Sequence, residues 1–117
     1  MSNPNIINVT NINGKTGVLT LASTPTAIVT NSAASNKVYK VNALYVSNIN
    51  GDSDTTVDID LYRDTSPYYI AKSITVPADA TIDIISKSIY LEEGDALRLT
   101  VLDSGYLSAI CSWEEIS

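Results

Sequence analysis

Residues 55–62 read TTVDIDLY, and the alternation in that stretch constrains the chain more than any other feature. Val57, Ile59 and Leu61 fall on one side of an extended backbone, Asp58 and Asp60 on the other. A period of two marks a half-buried strand, because successive side chains leave a strand in opposite directions. ALRLTV repeats the pattern, with Leu97, Leu99 and Val101 inward against Arg98 and Thr100. YLSAICSWEE places Leu107, Ala109, Cys111 and Trp113 on one face. In VYKVNALYVSN (38–48), strict alternation puts Val38, Leu44 and Val46 on one face and Tyr39, Val41, Ala43 and Tyr45 on the other. Both faces are then partly apolar, which suggests contact outside the domain or an aromatic-rich outer face. YYIAKSITV (68–76) and ATIDIISKSIYL (80–91) are also strand-like, the second breaking near Ile85-Ser86. IINVTNI, GVLTL and TAIVT form shorter candidates near the start.

Turn signals punctuate these runs. Asn13-Gly14 and Asn50-Gly51 are strong local hairpin or turn dipeptides. Pro25, Pro67 and Pro77 fall between runs, where a missing amide donor costs no ladder bond. Thr, Val, Ile and Tyr favour pleated strands over helices. The expectation is an all-β chain: a single antiparallel β-sandwich or jelly roll of seven to nine short strands. At 117 residues the chain makes one domain, and no linker divides it. Residues 1–15 hold five asparagines and little periodicity beyond Ile7, Val9 and Ile12. They read as an N-terminal arm or edge strand ahead of a sandwich domain at 16–117.

Composition then removes function classes. Seven Lys and Arg against thirteen Asp and Glu give a net charge of −6. Phosphate backbones and anionic lipid surfaces both attract basic proteins, so neither nucleic acid nor membrane is an expected partner. The chain has no histidine, which removes the commonest general base, the commonest zinc ligand and every histidine-containing triad. Cys111 is the only cysteine, so no intrachain disulfide staples the fold. The start, MSNPNIINVTNINGK, does not read as a signal peptide. No run reaches the roughly 18 to 20 apolar residues of a spanning helix.

Two acidic groups invite a chemical reading. In LEEGDAL, Glu93, Gly94 and Asp95 form the core of a structural turn, with glycine supplying positive φ and the acids expected to stay solvated. A metal reading would need ligands from elsewhere, and the spacing fails the twelve-residue calcium loop; a partner-facing acidic loop is the other alternative. Asp58 and Asp60 are expected on a solvated strand face. Their separation, roughly 6 to 7 Å, resembles a glycosidase pair only superficially. Asp52 and Asp54 with a neighbouring loop are the best calcium guess, and a poor one. Cys111 reads as a small buried hydrophobe. No phosphate-cradling glycine loop appears, so no cofactor and no catalytic residue is expected. Seven tyrosines, one tryptophan and no phenylalanine make an uneven aromatic set. Tyr suits interfaces that stay partly wet. Tyr39, Tyr45, Tyr68 and Tyr69 are the candidate interface residues, with ordinary sheet packing as the alternative.

The second half also resembles a family. Val76-Pro77-Ala78, Tyr90 to Arg98 (YLEEGDALR) and Glu114-Glu115-Ile116 are similar to the C-terminal half of small virion proteins of tailed phages, especially those infecting cyanobacteria. VYKVNALYVSN, the Asn-Gly turn and TVDIDLYR resemble that family's first-half strands, so the likeness spans roughly residues 26 to 117. The resemblance implies a non-enzymatic virion component located in the particle and assembled in the host cytoplasm. Capsid decoration leads, with neck, tail or fibre attachment as alternatives, and the major capsid protein or neck and tail proteins as partners. A homo-oligomer is expected, a trimer being the form that suits threefold capsid positions. A carbohydrate-binding or adhesin module is the rival reading from the residues themselves.

Overall fold

The computed structural model describes residues 4–102 and 107–117. After a single 3-10 turn at Ile6–Asn8 come nine strands: β1 (Ile12–Thr20), β2 (Thr26–Thr30), β3 (Val38–Asn48), β4 (Thr55–Arg63), β5 (Ser66–Val76), β6 (Thr81–Asp83), β7 (Ile89–Leu91), β8 (Ala96–Val101) and β9 (Leu107–Ile116). They form two antiparallel sheets. One has the order β1-β9-β3-β6, with β7 also pairing β3; the other runs β2-β8-β4-β5. The chain passes repeatedly from one sheet to the other, as in a jelly roll. The fold is therefore the all-β sandwich that the alternation predicts.

The core lies between the sheets. Leu44 and Val46 of β3, Val57 and Ile59 of β4, Leu97, Leu99 and Val101 of β8, and Leu107, Ala109 and Cys111 of β9 are all buried. Burial of these side chains contributes on the order of 2 kcal/mol each for the larger ones. Buried asparagines close the ends of the sandwich. Asn31 donates from Nδ2 to the carbonyls of Lys37 and Leu91 at 2.9 and 3.0 Å. Asn48 does the same to Ser53 and Val76.

Several local expectations are corrected. Asn13-Gly14 is not a turn; it lies inside β1, whose register with β9 is unbroken from Ile12 to Thr20. Cross-strand pairing over nine residues overrides a dipeptide's turn preference. The expected boundary between residues 15 and 16 falls within that strand, and residues 12–15 of the expected arm or edge strand belong to β1, at the edge of its sheet. IINVTNI yields the 3-10 turn rather than a strand of its own. Pro67 sits in β5 rather than between runs, and β5 is an edge strand that tolerates it. The β3 face assignment fails at Asn42, where the register with β9 shifts between Val41 and Ala43. A bulge adds one residue and reverses the alternation. Tyr39 and Val41 consequently share the inner face with Leu44 and Val46, and Val41 is fully buried.

Candidate assembly surface

The LEEGDAL turn joins β7 to β8. Gly94 has a φ of +87°, in the left-handed region that glycine occupies without strain. The acids beside it are not solvated, which corrects the sequence expectation: Asp95 and Glu93 are both buried. Asp95 accepts from Arg63 Nε at 2.7 Å and Nη2 at 2.6 Å, and its Oδ2 also accepts the Glu92 amide at 2.8 Å. Arg63 Nη2 reaches Glu92 at 3.0 Å. Glu93 accepts from the Asn36 amide at 3.2 Å. The Asp95 hydrogen bond, followed by the nearby charges of Asp95 and Glu92, raises the Arg63 pKa above its ordinary value despite some desolvation. These carboxylates are committed to joining β4, the β7–β8 turn and the β2–β3 loop.

Asp58 and Asp60 do not form a solvated pair either. Asp60 is buried and accepts from Arg98 Nε at 2.9 Å, while the Arg98 guanidinium lies 3.8 Å over the Tyr62 ring. Asp58 accepts the Ser73 amide at 2.7 Å and Lys72 Nζ at 3.2 Å. Neither carboxylate is placed to work with the other on a bound sugar. A shallow cup of about 230 Å³ beside Asp58 is lined by Ser23, Thr56, Ser73 and Thr100 among others; small-molecule pockets usually start at about 300 Å³. Asp54, part of the calcium guess, accepts the Ala78 amide at 2.9 Å. Cys111 is fully buried, and desolvation pushes its thiol up to about 12.

The four tyrosines do not converge. Tyr39 packs inward beside Glu115; burial, then the charge and hydrogen bonding of Glu115, raise its pKa. Tyr68 and Tyr69 are exposed on β5, with Lys72 Nζ 4.3 Å from the Tyr69 ring centroid. Tyr45 alone stands on the outer face of the five-stranded sheet.

That face has a composition of its own. Val18 in β1 is opposite Ile110 in β9, and Ile110 is opposite Tyr45 in β3. Directly opposed residues point to the same side of a sheet, so the three form one cross-strand row. They are 77, 46 and 43 per cent exposed. A parallel row on one side is Thr20, Ser108, Ser47 and Thr81, the last two hydroxyls 2.8 Å apart. On the other side lie Thr16, Ser112 and Ala43. The only charge in these rows is Asp83, opposite Tyr45 at the margin. Sequence reading missed Val18 and Ile110 as surface residues. Ile110 was legible: it occupies the outward phase of SAICS, between two serines.

No protein-family model matches the sequence, and no curated protein sequence does. A solved structure described as Bacillus endospore appendages, which form a family of disulfide-linked pili, aligns with a TM-score of 0.56. It is 15% identical and the alignment covers 98% of this chain and 95% of that one. This likeness establishes the fold over essentially the whole length.

Proposed function

We propose that this chain is a non-enzymatic assembly subunit of a phage particle, most specifically a capsid decoration protein. It acts by contact alone, seating the outer face of its five-stranded sheet on a protein lattice. The observation that carries the reading is the exposed, nearly uncharged row Val18–Ile110–Tyr45 with its Ser and Thr borders. The phage resemblance of residues 26 to 117 supplies the particle. Four strands and three rows cover a few hundred Å² at about 4.8 Å per strand, less than the roughly 800 Å² per partner of a stable binary complex. Such a face suits a lattice, where many weak contacts act together. Binding of this kind stabilises the assembled state by mass action.

A second reading, a subunit of a surface appendage, is favoured by the fold likeness to the pilus structure. Linkage through disulfides does not transfer easily, since the single cysteine is buried in the core. Quantitative mass spectrometry of purified particles from cells producing the chain tests the first reading. Tens to hundreds of copies per particle support decoration, and a few support neck or tail placement. Absence from particles, with filaments of the chain in the medium, replaces it with the appendage reading.

A further inference from the structure

The sheets have four edges, and three of them are blunted. At β5, Pro67 and Lys72 lie in the strand, its register with β4 shifts at two places, and Ser73 has a φ of 54°. β2 is five residues long and carries its own register shift. β6 and β7 have three residues each. Short strands, bulges, proline and lysine are the devices by which sheets refuse a further strand. β1 lacks the proline, the bulge and the shortness: nine residues hold one unbroken register with β9.

Its free polar groups can be assigned. In an antiparallel pair, alternate residues exchange both backbone hydrogen bonds, and those between them point away. Asn11 and Ser117 exchange amide-to-carbonyl bonds of 2.9 Å each way, and the Leu21 amide donates to the Leu107 carbonyl at 2.9 Å. Both pairs continue the β1–β9 register, so the odd-numbered residues between them face β9. Ile12, Gly14, Thr16, Val18 and Thr20 therefore direct their amides and carbonyls outward, where no strand of the described residues pairs with them.

We infer that this edge binds β1 of a second copy, antiparallel across a two-fold axis at Thr16. The register follows from the parity: Thr16 meets Thr16 of the second copy, Gly14 meets Val18, and Ile12 meets Thr20. All outward groups of the strand are then satisfied, giving about ten new backbone hydrogen bonds. The charges permit a second copy at this edge more than elsewhere. The chain carries −6, so two copies repel over most of their surface. β1 holds no acid, and its one cation, Lys15, is 3.3 Å from Glu115 of its own chain and would oppose Gly17 of the other. In the joined sheet the Val18–Ile110–Tyr45 rows of the two copies lie on the same face, offset on either side of the Thr16 pair, and each ends against Gly14 of the other copy. This inference goes beyond the particle reading and is independent of it.

Sedimentation of the intact chain over a wide concentration range, with amide exchange on the same samples, tests it. The expected result is a monomer–dimer equilibrium in which Gly14, Thr16, Val18 and Thr20 amides gain protection in the dimer, while Lys15 and Gly17 amides are protected in both. Thr16→Pro removes an outward amide and leaves the β9 ladder bonds alone; Val18→Lys adds a charge at a highly exposed position. Each is expected to weaken dimerisation at least about tenfold with native circular dichroism. Should Thr16→Pro not fold, Val18→Lys carries the test. A trimer, a monomer up to about millimolar concentration (a dimer held by a bond of about 4 kcal/mol or weaker), or a dimer unaffected by the folded variants overturns the inference. None of these touches the particle reading, which rests on virion content.

Discussion

Arg63 grips Asp95 with two charged hydrogen bonds, 2.7 Å from Nε and 2.6 Å from Nη2, across the junction of β4 and the β7–β8 turn. Asp95 is buried while Arg63 keeps about a third of its side chain in water. The pair is thus a buried anion held by a partly solvated cation, whereas the second carboxylate on Arg63, that of Glu92, is itself partly exposed. Arg63→Met strands a buried carboxylate and is expected to destabilise by about 3 kcal/mol. Glu92→Gln disturbs only the exposed arm of the network and is expected to cost less than about 1 kcal/mol. Urea denaturation of both variants checks the ratio.

Gly17 sits under the only tryptophan. A Cβ there would lie 2.9 Å from Cζ3 and Cη2 of Trp113, whereas one at Gly14 would meet nothing within 4 Å. Gly17→Ala is expected to lose about 1 to 3 kcal/mol and to shift Trp113 fluorescence. Gly14→Ala, in the same strand, is expected to leave both unchanged.

Glu115 is a buried carboxylate near one end of the inner face. Burial works to raise its pKa, but the Trp113 indole at 3.3 Å and the ammonium groups of Lys15 and Lys37 at 3.3 and 3.4 Å outweigh it, leaving the net shift downward. A folded pKa below the unfolded value means stability that is fully present above the unfolded carboxylate range and is lost as pH falls through the folded one. Melting temperature is therefore expected to lose a share of its acid dependence, below about pH 4.5, in Glu115→Gln. An unchanged acid limb in that variant would contradict the assignment.

Thr55 places Oγ1 in the interior with no hydrogen-bond partner among the described residues. Thr55→Val keeps the shape and removes the unsatisfied hydroxyl, so it is expected to raise stability by about 1 kcal/mol. Thermal melts of the two proteins decide it.

The fold was legible because period-two alternation is a direct imprint of burial. β4, β8 and β9 keep their inner phases as written: Val57 with Ile59, Leu97 with Leu99 and Val101, and Leu107 with Ala109 and Cys111. Where alternation failed, one inserted residue was responsible. The Asn42 bulge moved Val41 and Tyr39 inward, and a single sequence carries no mark of where a register slips. The acids misled for another reason. Whether Asp60 or Asp95 meets water depends on Arg98 and Arg63, 38 and 32 residues away, and local chemistry is silent on partners at that distance. Of the surface, Tyr45 was visible as an outward tyrosine. Its neighbours Val18 and Ile110 join it only through the strand order β1-β9-β3.

If the outer face of the five-stranded sheet attaches this subunit to a particle, a charge in the middle of that face must abolish attachment. Ile110→Lys puts a charge in the middle of that face at a half-exposed position, away from the core. The decisive measurement is the copy number of Ile110→Lys in purified particles, beside the unaltered chain and with melting temperature as the control for folding. A folded variant that falls to background in the particles is the outcome this reading requires. Full incorporation of the folded variant would contradict it and move the attachment surface elsewhere.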